Sequence, residues 1–366
     1  MRFGVELEFT AMMQHAHDEN RGSFYQLLEQ LVLESGLRGW KFKVDGSCGS
    51  EIVSPILSQE NGIKQVGQVC YCTEVARERF GIKRILGPDC GVHYHFDASD
   101  MDFKCIRNIL GITAILETLF FAMNPSIRLG LMFAAPLNFN LFQAMRARDI
   151  IDIRDTWFRQ YMGVRSHQGS YRHANNEYLP HFINTMKRKP EKYDWTRYHG
   201  LNLVAYFHHG TMEFRYTHGT FDADVIRKWY DIYRSIVVAC KESPTRRIWR
   251  ILPFEVSQVR ELSIADLQGA LYKDLRKTID CLFKLVEPTV EMVQFVAERL
   301  AKFNGKDLSR TAIKETLKYD GYNGEKARDI LLSKPINLPS LVFSSRQPPT
   351  PGHPVEAVED YQDDTN

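Results

Sequence analysis

The chain has 366 residues, of which 44% are hydrophobic and 25% charged, with a formal net charge of +2. That length exceeds what one core usually fills, so one large domain with additions, or two domains, is expected, in a composition ordinary for a globular protein. The near-neutral charge argues neither for nor against a nucleic-acid partner, no apolar run reaches the roughly 18 residues of a membrane span, and the opening M-R-F-G-V carries no secretory leader pattern.

Arg2–Thr10, R-F-G-V-E-L-E-F-T, alternates as a strand and sets Glu6 and Glu8 on one face. A polar loop with His15, His17 and Asp18 follows. Ser23 caps a predicted helix over Phe24–Ser35, stopped by Gly36. Trp40–Val44 reads as a strand that turns at Asp45-Gly46, and Glu51–Leu57 returns beside it with Pro55 at its end. Helical spacing over Gly62–Phe80 ends at Gly81. Asp89–Asp97 is a strand carrying His93 and His95 on one face. Asp102–Met123 is a long helix that is apolar nearly all round, and so expected to lie on a sheet face.

Residues 130–196 are basic (Arg146, Arg148, Arg154, Arg159, Arg165, Arg172, Lys187, Arg188, Lys189) and interleaved with aromatics. They read as a helical insertion. Leu201–Phe207 and Thr211–Thr217 are expected to form a hairpin turning at His208-His209-Gly210. Its second strand places Glu213 and Arg215 on one face, and Met212, Phe214 and Tyr216 on the other. Asp222 caps a helix to about Cys240, and Ser263–Lys334 is helical with a break at Pro288 and another at Gly321–Gly324. The stretch 346–366 is rich in Pro, Asp and Glu and reads as a disordered acidic tail. The seven scattered cysteines, Cys48, Cys70, Cys72, Cys90, Cys105, Cys240 and Cys281, resemble no disulfide framework and point to reduced thiols in the cytoplasm.

Three strands thus repeat one pattern: a polar pair at i, i+2 beside an apolar row. Solvated strand faces would also alternate. The pairs here are drawn from carboxylate, imidazole and guanidinium, which suits one polar cavity better. Converging carboxylates repel unless a cation joins them. Oxygen ligands with an imidazole suit Mg²⁺ or Mn²⁺, and a neighbouring arginine suits phosphate. No P-loop motif is present.

The segments G-V-E-L-E-F (4–9), V-D-G-S-C-G-S-E-I-V-S-P (44–55), G-V-H-Y-H-F (91–96) and R-Y-H-G-L-N-L with H-G-T-M-E-F-R-Y-T-H-G-T-F-D-A-D-V-I-R-K-W (197–229) resemble the amidoligase family of the glutamine-synthetase-like superfamily. The resemblance implies an α+β fold: a curved antiparallel sheet with flanking helices, cupping ATP and Mg²⁺ or Mn²⁺. It implies a carboxylate–amine ligase working through an acyl phosphate on small-molecule or peptide substrates; neither a membrane nor a nucleic-acid partner is expected. Superfamily members often assemble, so a homo-oligomer is a further expectation.

Carried over by position, Glu6, Glu8, His93 and Glu213 are metal ligands. Glu51, His95 and Arg215 serve the chemistry, with Arg215 on the transferring phosphoryl group. Arg128, Tyr198 and Asn202 join Arg215 in holding nucleotide or substrate, although the P-S-I-R segment around Arg128 departs from the family's P-S-R. The implied organisation is a catalytic domain over 1–253 with the 130–196 insertion, a helical region over 254–335, and the tail. Rival readings are a metal-dependent hydrolase of an amide or phosphate ester, a guanidino-type kinase, and a non-catalytic nucleic-acid-binding or assembly protein.

Overall fold

A computed structural model describes residues 1–10, 17–18, 22–45, 48–125, 128, 134, 137, 146–154, 157, 197–252, 275–304 and 331–332. Most of the basic stretch 130–196, the 321–324 break and the 346–366 tail lie outside the described residues, as does His15.

The elements are β1 (Arg2–Thr10), the two-residue strands β2 (His17–Asp18) and β3 (Gly22–Ser23), α1 (Phe24–Glu34), β4 (Lys41–Asp45), β5 (Gly49–Val53), β6 (Leu57–Ser58), α2 (Gln59–Arg79), β7 (Gly91–Asp97) and α3 (Phe103–Ala122). They continue with β8 (Leu201–Asn202), α4 (Val204–His209), β9 (Thr211–His218), α5 (Ala223–Glu242), α6 (Thr245–Ile251), α7 (Leu275–Leu285) and α8 (Val290–Asn304). Seven strands form one open sheet in the order β4-β5-β1-β7-β9-β8, with β6 paired to the start of β1. Every pairing is antiparallel. This is an α+β arrangement.

The caps fall where the sequence places them. Ser23 and Gln26 make a reciprocal capping box on α1, Asp102 accepts from Cys105 N–H, and Asp222 accepts from Asp224 and Val225 N–H. One sheet face packs on helices. Phe214 stacks on Tyr233 of α5 with centroids 4.6 Å apart, and Phe3 and Phe96 pack on Tyr230. Tyr94 donates to the Ile226 carbonyl at 3.0 Å.

Two expectations are corrected. First, α3 meets the sheet at β9 but is also enclosed by α5, α6, α7 and α8. By length and composition it is apolar enough to span a bilayer, contrary to the reading of the bare sequence, and 94% of that stretch is buried inside the fold. Its one buried acid, Glu117, accepts from Leu137 N–H at 2.9 Å and from the Tyr216 hydroxyl at 3.0 Å.

Second, the 201–217 hairpin is interrupted. Only Leu201–Asn202 pairs with β9, and Val204–His209 is helical. The cause is local. Asn202 Oδ1 accepts from Val204 N–H at 2.9 Å and from Ala205 N–H at 3.4 Å, which starts a helix. Gly210 then takes φ 68°, the left-handed conformation that ends one, rather than turning a hairpin.

Candidate functional site

Register alone assembles the polar face. Residues directly opposite in a sheet point the same way. Lys43 faces Glu51, which faces Glu8. Glu6 faces His93, while Gly4 faces His95, which faces Glu213, which faces Asn202. Three parallel rows of polar groups therefore run across β4, β5, β1, β7, β9 and β8. A bulge sharpens the arrangement. Val92 pairs Thr217 and Tyr94 pairs Phe214, so Arg215 and Tyr216 together stand opposite His93. Bulges bend the strand that carries them, and this one sits at the Arg215 side chain.

The groups converge closely. His93 Nδ1 is 3.1 Å from Glu6 Oε2 and 3.6 Å from Glu213 Oε1, while its Nε2 is 3.4 Å from Glu8 Oε1. His95 Nε2 lies 3.4 Å from Glu6 Oε1 and 3.7 Å from Glu213 Oε1, and its Nδ1 is 3.2 Å from Thr211 Oγ1. Arg215 Nη1 donates to Glu213 Oε1 at 2.7 Å, and Asn202 Nδ2 donates to Glu213 Oε2 at 2.5 Å. Glu8 Oε2 accepts from Gly91 N–H at 2.6 Å. Glu8, His93, Asn202, Glu213 and Arg215 are all buried.

Above this floor opens a cavity of about 710 Å³. Glu6, Glu51, His95, Asn202 and Glu213 line it, as do Arg2, Lys43, Asp45, Arg197, His208 and His209. Glu8, His93 and Arg215 sit beneath the lining. The predicted Tyr198 is not among the lining residues. Its neighbour Arg197 is, with its guanidinium 5.3 Å from the Tyr198 ring. Arg128 is buried and is not among the lining residues. It donates to the Arg215 carbonyl at 2.5 Å and to the Asp89 and Cys90 carbonyls at 3.3 Å. Burial pulls its pKa down to about 10 against the pull of Glu8.

The charges set one another. Burial would raise Glu213, but Arg215 and His95 outweigh it and hold the carboxyl down at about 2. Burial would likewise lower His95, but Glu213 and Glu6 push it up to about 9. Glu6 is held well below the usual range, its burial outweighed by His95 and His93. Glu51 is different: burial and then Glu6 raise it, against Lys43, whose Nζ is 3.1 Å from its Oε1.

The donor set fits a divalent cation. One atom each from Glu6, His93 and Glu213 lies within 4.8 Å of the others. The Nε2 atoms of His93 and His95 are buried with no hydrogen-bond partner, although each lies 3.4 Å from a carboxylate. Close but misaligned donors are what a coordinating ion would use. Glu8 is not in this group, although its Oε1 lies 3.4 Å from His93 Nε2. A second group of close donors is made by Glu8, Asp45 and Cys48. Asp45, which lines the cavity, was missed as a site residue although it lies in the 44–55 segment that carries the family resemblance.

Residues 1–237 match the model of a family described as a putative amidoligase enzyme. No curated protein matches the chain.

Proposed function

Because the chain belongs to that amidoligase family, and so to ligase-type enzymes, we propose that it is an ATP- and Mg²⁺-dependent carboxylate–amine ligase of the glutamine-synthetase-like type. The observation that carries this reading is the convergence of Glu6, His93, Glu213 and Arg215 on the floor of one open cavity.

Glu6, His93 and Glu213, with Glu8 behind them, would hold Mg²⁺ or Mn²⁺. The ion supplies charge neutralisation for the polyphosphate. Arg215 supplies a second, permanent charge. Its guanidinium is buried, and Glu213, Glu8 and Glu6 raise its pKa against that burial, so it stays protonated. Preorganised charge in a dry floor stabilises a transferring phosphoryl group without reorganisation.

In the reaction, a substrate carboxylate oxygen attacks the γ-phosphorus and ADP leaves. The amine nitrogen then attacks the acyl carbon, inorganic phosphate leaves, and the amine loses a proton. Glu51 lines the cavity with a raised pKa, and is the group placed to take that proton. His95 orients Glu6 and Glu213 at the cavity wall. Asn202 fixes Glu213 from one side while starting α4, and Arg128 fixes the Arg215 backbone from below. Arg197, which lines the cavity and lies over the Tyr198 ring, meets the substrate as it enters.

The test is isotopic. A carboxylate substrate labelled with ¹⁸O should pass one labelled oxygen to inorganic phosphate during amide formation. Amide formed with unlabelled phosphate would rule out the acyl phosphate, and ATP-independent hydrolysis of an amide or phosphate ester would make the protein a hydrolase.

A further inference from the structure

One wall of the cavity is also a free sheet edge. Lys43, Val44 and Asp45 line the cavity. They belong to β4, which ends the sheet order and has no strand on its outer side among the described residues. The register decides which backbone groups that side presents. Ser54 N–H donates to the Val5 carbonyl at 2.9 Å, and the two residues continue the β1–β5 register. Along an antiparallel ladder, bonded and non-bonded pairs alternate, so a central strand turns successive residues to opposite neighbours. Ser50 and Ile52 therefore bond towards β1, and Gly49, Glu51 and Val53 towards β4. Their partners Lys41, Lys43 and Asp45 use their backbone groups on β5. Phe42 and Val44 turn theirs outward, where no backbone group of a described residue meets them.

We infer that this edge docks an extended peptide of alternating acidic and apolar residues, which adds to β4 as a further antiparallel strand and supplies the amine for ligation. An unpaired edge is a template for one more strand, with main-chain hydrogen bonds giving affinity and alternate side chains giving specificity.

Charge and apolar surface set the occupant's chemistry. Lys41 and Lys43 stand on the cavity face of β4, and Phe42 and Val44 on the other. Arg38, Lys41 and Lys43 are all exposed, and only Lys43 has an acidic partner among the described residues, Glu51. Acidic side chains on the cavity face of an added strand would answer that charge. Val44 is 73% exposed, so its side chain stays bare beside the backbone groups it offers. An apolar side chain opposite would cover it. Direction follows from the sheet, in which every pairing is antiparallel. An antiparallel newcomer has its N-terminus at the Asp45 end of β4. Asp45 and Glu51 line the cavity there. Two carboxylates suit an arriving ammonium group, and Glu51 is the group assigned to its proton. The docking stands without the ligase reading; the role of the peptide as amine rests on it.

The probe is the peptide Ala-Val-Glu-Val-Glu with a free N-terminus. Its valines fall opposite Val44 and Phe42, and its glutamates opposite Lys43 and Lys41. Adding it to the full chain should slow amide hydrogen exchange at Phe42 and Val44 by about tenfold or more. N-methylation of the two valines should abolish that protection, because those nitrogens face the edge. N-methylation of the two glutamates should preserve it. Val44→Pro removes an outward N–H that the β4–β5 ladder does not use, so the variant should keep its Tm and lose the protection at Phe42. Unchanged exchange with the peptide, or equal protection by both N-methylated forms, overturns the proposal. Protection of the same amides on raising the protein concentration without peptide makes the edge a contact between copies, and also overturns it. Turnover tests the second part. With ATP, Mg²⁺ and a carboxylate pool, the free peptide should be joined, and its N-acetylated form should protect the edge without being joined. ADP release with other amines, but none with the bound peptide, removes its role as amine and leaves the ligase reading intact.

Discussion

The two faces of this sheet come from the same strands and live in opposite environments. On β9, Met212 and Phe214 bury into the helices, while Glu213 and Arg215 bury into the cavity floor. On β7, Val92, Tyr94 and Phe96 face the helices while His93 and His95 face the floor. Strand alternation produces the split, but the energetics differ. The helix face gains from every apolar surface it covers. The cavity face buries carboxylates, imidazoles and a guanidinium, each of which costs free energy unless its neighbours compensate. One face therefore carries the stability, and the other spends part of it to hold charge out of water.

Four changes would break or sharpen that comparison. The largest effect is expected from Glu213→Gln. It should abolish ATP turnover and remove the rise in Tm that Mg²⁺ gives, since a ligand that binds only the folded state stabilises it. Calorimetry with and without Mg²⁺ checks this, and full turnover would detach Glu213 from the site. Next is Trp229→Ala on the helix face. Trp229 is fully buried and stacks on Tyr233, so the loss should be about 3–5 kcal/mol in chemical denaturation, with the remaining folded protein keeping its metal response. A loss below 1 kcal/mol would place the stability elsewhere.

Gly91→Ala probes the boundary. A Cβ there would lie 2.5 Å from Arg128 Nη2, 3.0 Å from His93 Nε2 and 3.1 Å from Glu8 Oε2. Crowding of this kind should cost about 1–3 kcal/mol and weaken Mg²⁺ binding at the same time. A variant of normal stability and affinity would mean the floor is loosely held. The smallest effect is expected from Arg2→Ala. The Arg2–Asp97 pair is at the surface, with Arg2 61% exposed, so stability should change by less than about 1 kcal/mol.

The buried charges also predict a pH profile for the metal-free protein. Glu213 is depressed from 4.5 to about 2, so its contribution is complete above pH 4.5 and is lost as pH falls through 2. His95 is raised from 6.5 to about 9, so its contribution is complete below pH 6.5 and is lost as pH rises through 9. Stability should be greatest between those limits. Denaturation midpoints that stay flat from pH 6.5 to 9 would remove the His95 contribution.

Much of this was legible from alternation alone. The pairs Glu6/Glu8, His93/His95 and Glu213/Arg215 lie on one face, and Ser23, Asp102 and Asp222 cap helices as their positions dictate. What failed to show depends on contacts distant in sequence or on a single side chain. The run L-N-L-V-A-Y-F is apolar enough for a strand, but Asn202 turns it into a helix by capping it. The bulge at Arg215 and Tyr216 leaves no mark in the sequence. Arg128 reaches the floor only because Asp89 and Cys90, just before β7, and Arg215 of β9 present their carbonyls to it.

The most direct test of the central claim is Mg²⁺-dependent ADP release from ATP in the presence of carboxylate pools, with and without amines. The account predicts release that requires both co-substrates and Mg²⁺, alongside a product one water lighter than their sum, all of it lost in Glu213→Gln. Release that ignores the amine, or that continues unchanged in Glu213→Gln, would contradict it.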